Sequence, residues 1–266
     1  VAEVTIDWGD GNSDVISSGF DSISLNHTYT ENTNYTITIT ATDNENLSKV
    51  KEIPIDFNYT VITFADSDLE NIIRNKISKP TGDIYKSDLT NITELDASNS
   101  SVADLTGIEN LENLQTLYLG FIMENGEVIN SNTINDLSPL SSLTSLTNLY
   151  LGSNQIDDLS PLTDLTNLTE LELCHNQITD LSPLSNLTSL TKVYFWGNDI
   201  SDLTPLSNLT NLTSLNLSDN LISDLSPIST LTNLTDIRLD YNNLSNISTL
   251  SDLTNLTMLD LDGNQL

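Results

Sequence analysis

Asparagine stands at positions 132, 154, 176, 198, 220, 242 and 264, each 22 residues from the last and each inside the same phrase of leucines. The copies LTNLYLGSNQIDDLSPL (Leu146 to Leu162), LTELELCHNQITDLSPL (Leu168 to Leu184) and LTKVYFWGNDISDLTPL (Leu190 to Leu206) reduce to LxxLxLxxNxIxDLxPL. A unit this short holds one strand and one return segment, and it cannot cover its own apolar side chains. Stability comes only when turns stack, so the pattern predicts a solenoid with a parallel sheet along its concave face.

Strand parity sets what lies inside that coil. Leu149 and Leu151 point inward, while Asn148, Tyr150 and Gly152 point outward onto the concave face. Ile156, Leu159, Leu162 and Leu165 complete the inward set. Each buried leucine stabilises by roughly 1.5–3 kcal/mol, and several per turn are needed to offset the ordering of the backbone. The asparagines Asn132, Asn154, Asn176, Asn198, Asn220, Asn242 and Asn264 mark the point where the chain leaves the strand. Backbone groups buried there lack sheet partners, and a carboxamide offers both donors and an acceptor. These side chains are therefore expected to be structural. In the DLxPL phrase, proline imposes an extended or tight-turn backbone on the return path. Asp136, Asp158, Asp180, Asp202 and Asp224 are expected to accept local backbone hydrogen bonds rather than to form a metal column.

Charge removes two classes of partner. With 38 acidic against 8 basic residues, the formal net charge of −30 disfavours nucleic acid and anionic membranes. From Asn91 onward the only basic side chains are Lys192 and Arg238. Such a polyanion attracts cations or basic proteins and also suits a high-salt milieu. No apolar run of about 18 residues and no signal peptide occurs, so direct membrane insertion is not expected. The single cysteine, Cys174, excludes an intrachain disulfide. Parity places it on the concave face as a small residue in the column of Gly152 and Ser218, with His175 facing the opposite way unless the strand has ended. The chain contains no phosphate-binding glycine loop, no H-E-x-x-H, no nucleophile elbow and two histidines, His27 and His175. Glu170 and Glu172 share one face, but an open sheet supplies no dry cleft for acid–base work. No enzyme and no cofactor are expected.

The first 57 residues follow period two instead. Tyr35, Ile37, Ile39 and Ala41 alternate with threonines, and an earlier strand through Val4 and Ile6 runs into DWGDG. The phrases IDWGDG, NHTYT and YTITITATD resemble the PKD domain, a β-sandwich of the immunoglobulin class, here lacking its first strands; Ile6 stands where that family usually has a large aromatic residue. The resemblance implies that Trp8, Gly9 and Asp10 are fold determinants and that His27 and Tyr29 open a strand. Residues 58–90 read as a helical cap for the solenoid. Leu69, Ile72, Ile73 and Ile77 fall at helical spacing, Ser67 and Glu70 make an S-x-x-E capping box, and Pro80 and Gly82 end the helix. Arg74, Lys76, Lys79 and Lys86 give the cap half of the positive charge, either as a solvated face or as a contact for another acidic repeat array.

The fold class expected is therefore β-rich and multidomain: a partial Ig-like sandwich (1–57), a short helical cap (58–90) and a 22-residue repeat solenoid (91–266) interrupted at about 120–131. The cap, TELDASNSSVADLTGIENLENLQTLYL (Thr93 to Leu119) and the proline-bearing units together resemble internalin-type bacterial leucine-rich repeats. That resemblance implies extracellular protein recognition through the concave face, in adhesion or host contact. The chain starts in a strand-like phrase and stops inside a repeat, as a piece of a larger exported prokaryotic protein would.

Three places are candidates for binding. The outward column Tyr118, Tyr150, Glu172, Tyr194, Asn216, Arg238, Asp260 lies beside Gly120, Gly152, Cys174, Trp196, Ser218, Asp240, Asp262. Aromatic side chains outside a core mark recognition sites, so Tyr118, Tyr150, Glu172, Lys192, Tyr194, Trp196 and Arg238 are the ligand-binding candidates, with Tyr150, Tyr194 and Trp196 in one patch. Asp219, Asp236, Asp240, Asp260 and Asp262 form an acidic end with the oxygen density for Ca²⁺, although no loop has EF-hand spacing. The interruption GFIMENGEVINS (Gly120 to Ser131) reads as a hairpin around Asn-Gly that walls the face or is a tolerated insertion. Asn167, Asn186, Asn208 and Asn233 formally match the glycosylation sequon. The functional expectation is a surface or secreted module that binds a protein or glycan, with the sandwich as spacer. The alternatives are a self-assembling component of a surface layer, stalk or filament, or part of a secreted enzyme.

Overall fold

The computed structural model describes residues 3–17, 24–29, 34–55, 60–124, 127–129 and 132–266, with the backbone alone at 122–124, 127 and 128. The chain forms two compact units, Val1–Val61 with Tyr85–Ser87 and Ile62–Ile84 with Asp88–Leu266.

In the first unit, β1 (Glu3–Asp7), β2 (Ser13–Ser17), β3 (Tyr35–Thr42) and β4 (Ser48–Ile55) make one antiparallel sheet in the order β2-β1-β3-β4. Val4 lies opposite Ala41 and Ile6 opposite Ile39, so one face is apolar. Among the described residues this antiparallel sheet accounts for part of the expected partial sandwich. Aromatic side chains pack on its apolar face. Trp8 is buried with Val4 and Ile6, and Tyr29 packs on that cluster. His27 stacks on Trp8 at 4.6 Å between ring centroids, Tyr29 meets His27 edge-on at 4.6 Å, and Tyr35 stacks on Tyr29 at 4.4 Å. His27 and Tyr29 lie in irregular chain, not at a strand start. Their polar atoms are spent on the loop: His27 Nε2 meets Asp10 at 2.7 Å and Tyr29 Oη donates to the Trp8 carbonyl at 3.0 Å. Gly9 has φ +80°, and a Cβ there would lie 2.7 Å from the Thr36 carbonyl oxygen.

The second unit is the solenoid. After β5 (Val61–Ile62), α1 (Ser67–Lys76), β6 (Ile84–Tyr85) and α2 (Lys86–Leu89) come three-residue parallel strands, one per coil. These are β7 (Glu94–Asp96), β8 (Thr116–Tyr118), β11 (Asn148–Tyr150), β12 (Glu170–Glu172), β13 (Lys192–Tyr194), β14 (Ser214–Asn216), β15 (Asp236–Arg238) and β16 (Met258–Asp260). They pair in sequence order as one eight-stranded sheet. The leucine spine is a single cluster running from Ile62 to Leu253. In one coil Leu146, Leu149, Leu151, Ile156, Leu159, Leu162 and Leu165 are all buried. Proline resolves to a tight turn: Pro139, Pro161, Pro183, Pro205 and Pro227 each sit second in a 3₁₀ turn.

The amides form the expected column and also tie each coil to the one before it. Oδ1 of Asn154, Asn176, Asn198, Asn220, Asn242 and Asn264 accepts the N–H of Ile134, Ile156, Ile178, Ile200, Ile222 and Leu244 in turn, at 2.9–3.0 Å. Nδ2 donates both to its own coil and to a carbonyl of the preceding one, as Asn198 does to Phe195 and Leu173, each at 3.0 Å. The DLxPL aspartates accept the backbone N–H two residues on, at 2.8 Å in every copy. Those bonds hold the carboxyls of Asp158 and Asp224 below the usual range.

The cap works as its apolar spacing requires, with a different residue at its start. Leu69 and Ile73 of α1 enter the leucine cluster, and Ile72 and Ile77 pack against it. The N-cap is Asp66, so Ser67 and Glu70 form no capping box. Asp66 Oδ1 accepts from Asp68 N and Leu69 N at 2.9 and 3.1 Å; Oδ2 accepts from Ala103 N and Asp104 N at 2.8 and 3.3 Å. A carboxylate caps the helix and pins it to the first coil at once, which a serine hydroxyl cannot do. Glu70 instead pairs with Arg74 at 2.8 Å. The helix stops at Lys76, before Pro80 and Gly82, where Ile77 caps it and Ser78 turns left-handed with φ 55°. Arg74 also donates to the carbonyls of Lys79 and Gly82, and Lys79 pairs with Asp88 at 2.7 Å, so much of the positive charge is used within the cap.

Burial opposes ionisation of Asp66, but the N–H groups of Ala103, Leu69, Asp104 and Asp68 outweigh it and hold its carboxyl below the usual range. A lowered folded-state pKa contributes stability that is present above the unfolded value near ~4 and lost as pH falls through the folded one. Asp66→Ala is expected to lower stability by about 1–2 kcal/mol at pH 7 and to flatten the acid limb of a melting-temperature profile below about pH 4. An acid limb as steep as that of the wild type would disprove the linkage.

The interruption forms the expected antiparallel pair, β9 (Ile122–Glu124) with β10 (Glu127–Ile129), in the register Ile122 to Ile129 and Glu124 to Glu127. Asn125 and Gly126 lie outside the described residues. The stack is undisturbed by it. Asn132 accepts from Ser100 N and Val102 N and donates to the carbonyls of Ala97 and Leu119 at 2.8–2.9 Å.

Candidate functional site

The parallel register turns the concave face into columns. Tyr118, Tyr150, Glu172, Tyr194, Asn216, Arg238 and Asp260 are successive partners across the strands, as parity predicts. Thr116, Asn148, Glu170, Lys192, Ser214, Asp236 and Met258 form the column on one side. The small-residue column with Trp196 lies on the other. The residues between, such as Leu149, Leu171 and Val193, are fully buried, so the outward side chains rest on a floor that cannot move.

The aromatics divide into two groups. Tyr118 and Tyr150 stack at 4.7 Å with their rings 6° from parallel. Glu172 separates them from Tyr194, and two strand spacings put Tyr150 and Tyr194 roughly 10 Å apart. Trp196 pairs with His175, which meets it edge-on at 3.9 Å. Burial, with Glu170 and Tyr118 nearby and against a bond from Asn148, raises the Tyr150 phenol to about 12, so it remains a neutral donor at any physiological pH.

His175 reaches Trp196 because the strand has ended by that point. The residue before each asparagine from Asn154 onward is left-handed: Ser153, His175, Gly197, Asp219, Tyr241 and Gly263 have φ between 51° and 72°. This column was not foreseen, although Gly197 and Gly263 at that position are its signal. The large members lie over the glycines. A Cβ on Gly197 would fall 2.5 Å from His175 Nδ1, and one on Gly263 would fall 2.6 Å from Tyr241 Cδ1.

Glu172 is folded down onto the small-residue column. Its Oε1 accepts from the Cys174 thiol and, at 3.3 Å, from Cys174 N. Beneath it, a Cβ on Gly152 would meet Cys174 Sγ at 2.8 Å and Phe121 Cδ1 at 2.9 Å. Burial raises the pKa of both Glu172 and Cys174, and the neighbouring Glu172 charge raises the thiol further. A buried protonated thiol is neither a nucleophile nor a metal ligand. The two cations of the face lean on acids, Lys192 on Glu170 at 3.2 Å and Arg238 on Asp236 at 3.8 Å. At the acidic end, Asp240 takes the Ser218 hydroxyl and Asp260 Oδ1 accepts Asp262 N at 3.3 Å. Among the described residues no three His, Cys, Asp or Glu side chains gather as a group that could hold a metal ion. Asn167 and Asn233 of the formal sequons are engaged through Nδ2 with carbonyls of the preceding coil, Thr144 and Thr210, at 2.8 Å. No described helix is long and apolar enough to cross a membrane.

A stacked coil with one parallel strand per turn, an asparagine column and an open face of aromatic and charged residues defines a leucine-rich-repeat protein. The family models "Leucine Rich repeats (2 copies)" at residues 128–164, 166–208 and 188–230, and "Leucine rich repeat" at 210–266, match the chain accordingly. Among solved structures it is similar to an internalin (inlF) from Listeria monocytogenes, with 40% identity and a TM-score of 0.71 over 76% of this chain and 58% of that one. It is also similar to internalin C2 (inlC2) from the same organism, with 36% identity and a TM-score of 0.61 over 77% of this chain and 99% of that one. The chain belongs to the internalin-type leucine-rich-repeat family. It spans 58% of the length of the first of these relatives. No curated protein matches it.

Proposed function

We propose that this chain is an extracellular or cell-surface interaction module that binds a protein on its concave sheet face without catalysing a reaction. One observation carries the reading: Tyr118, Tyr150, Tyr194 and Trp196 stand half-buried in adjacent columns of a single face whose floor is fixed. Ordered aromatics contribute large contact area at low entropic cost, the property of interaction hot spots. The hairpin at 122–129 borders the face near Tyr118, and the N-terminal unit acts as a spacer. Combining Tyr194→Ala with Trp196→Ala is expected to weaken the ligand at least thirtyfold, about 2 kcal/mol, with an unchanged melting temperature. Surface plasmon resonance on the ligand recovered with the wild type measures it, and an unaltered Kd would refute the assignment of this face.

A further inference from the structure

Two adjoining depressions occupy the later coils of the concave face. One, of about 370 Å³, is lined by Trp196, Asn216, Ser218, Arg238, Asp240 and Asp260. The other, of about 400 Å³, is lined by Trp196, Ser218, Asp219, Asp240 and Tyr241. They share Trp196, Ser218 and Asp240, so they form one trough, with Asp219 and Tyr241 lining one part of it and Asn216, Arg238 and Asp260 the other. His175 meets Trp196 edge-on from the preceding coil and lines neither depression, whose other lining residues all belong to later coils. Tyr241 is 64% exposed and left-handed at φ 54°, a conformation that glycine fills at Gly197 and Gly263. A large exposed ring is thus held where the backbone disfavours one.

The charge in the trough is unbalanced. Arg238, which lines the first depression, has Nε 3.8 Å from Asp236 and Nη2 3.7 Å from Met258 Sδ, both in the neighbouring column. Among the described residues no lysine, arginine or histidine pairs with Asp219, Asp240 or Asp260. Asp240 is held in place by the Ser218 hydroxyl, and Ser218 N donates to Asn216 Oδ1 at 3.1 Å. A fixed carboxylate beside an aromatic face selects a flat cation. Guanidinium stacks on indole and forms two parallel hydrogen bonds to a carboxylate, which an ammonium group cannot match.

We propose that this trough is the seat for an arginine side chain of a basic protein segment, stacked on Trp196 and bonded to Asp240 and Asp260. The proposal rests on the concave-face reading above and names the chemistry of its ligand. Charge complementarity favours that occupant over a neutral glycan, since the chain carries 38 acidic and 8 basic residues.

The test is calorimetric titration of the whole chain, at low and moderate salt, with a synthetic glycine–arginine peptide and with the same peptide carrying citrulline. Asp240→Asn with Asp260→Asn is compared with Asp158→Asn and Asp180→Asn, a pair that removes equal charge from the return turns. The arginine peptide is expected to bind, the citrulline peptide to bind at least tenfold more weakly, and the first pair to weaken binding at least fivefold against less than twofold for the second. Equal losses for the two pairs would reduce the effect to general polyanion attraction and overturn the seat. Equal binding of citrulline, or occupancy by a neutral oligosaccharide that arginine peptide does not displace, would overturn it too. On the natural protein ligand, loss with Tyr194→Ala plus Trp196→Ala but retention with Asp240→Asn plus Asp260→Asn sinks the seat and leaves the face assigned. Retention by both variants sinks both readings.

Discussion

Asn198→Ala is expected to lower the unfolding free energy by about 2–3 kcal/mol, a large effect for one polar side chain. The alanine leaves the Ile178 N–H without its acceptor and takes one donor each from the carbonyls of Leu173 and Phe195. Those carbonyls keep a second partner, Nδ2 of Asn176 and of Asn220 respectively. The buried N–H has none, so it carries most of the loss. Asn198→Asp is expected to be worse than alanine at neutral pH, because two carbonyl oxygens would then face a carboxylate. Urea unfolding followed by circular dichroism measures both, and a reduced slope would show that the coils have stopped unfolding as one unit. An alanine variant within about 0.5 kcal/mol of the wild type would remove the amide column as a source of stability.

Phe195→Ala is expected to lose about 3–5 kcal/mol, the largest effect of any single change considered. Phe195 is fully buried in the spine position held by Leu151, Leu173, Leu217 and Leu239 in the neighbouring coils. Deleting the ring opens a cavity between rigid layers that cannot collapse, since each layer is fixed by the sheet on one side and the amide column on the other. Phe195→Leu restores the side chain of the adjacent coils and is expected to lose only about 1 kcal/mol. Thermal unfolding of the pair decides the matter: a leucine as damaging as alanine would mean that this coil is built differently from its neighbours. Because Asn198 bonds the Phe195 carbonyl, the alanine changes at the two positions are not expected to add.

The solenoid was legible because its signals repeat. Period, parity and the turn chemistry of asparagine, aspartate and proline are each restated in every coil, so a local ambiguity in one copy is resolved by the others. Features that occur once were less legible. Ser67 and Asp66 are both good N-cap residues, and the choice fell to Asp66 because its second oxygen reaches Ala103 and Asp104, a contact invisible in a linear sequence. Alternation at Tyr35–Thr42 announces a half-buried strand but says nothing of what covers it; among the described residues Trp8 and Tyr29 pack on that face, with His27 stacked on Trp8. On the concave face, parity gave the column from Tyr118 to Asp260 that the strand register shows, yet it cannot say which neighbour a ring leans on. Tyr150 turned to Tyr118, and the partner of Trp196 came from a left-handed turn position that sequence periodicity treats as loop.

The hairpin joins the coil between a strand and its asparagine, where Asn132 reaches back 13 residues to the Leu119 carbonyl instead of the 3 that separate Asn154 from Leu151. Chain length at that junction is therefore decoupled from the rest of the rod. Foreign segments whose ends match those of Gly120 and Asn132 are natural candidates for grafting there, and a lineage could acquire new rim loops at this seam while every layer above and below kept its geometry.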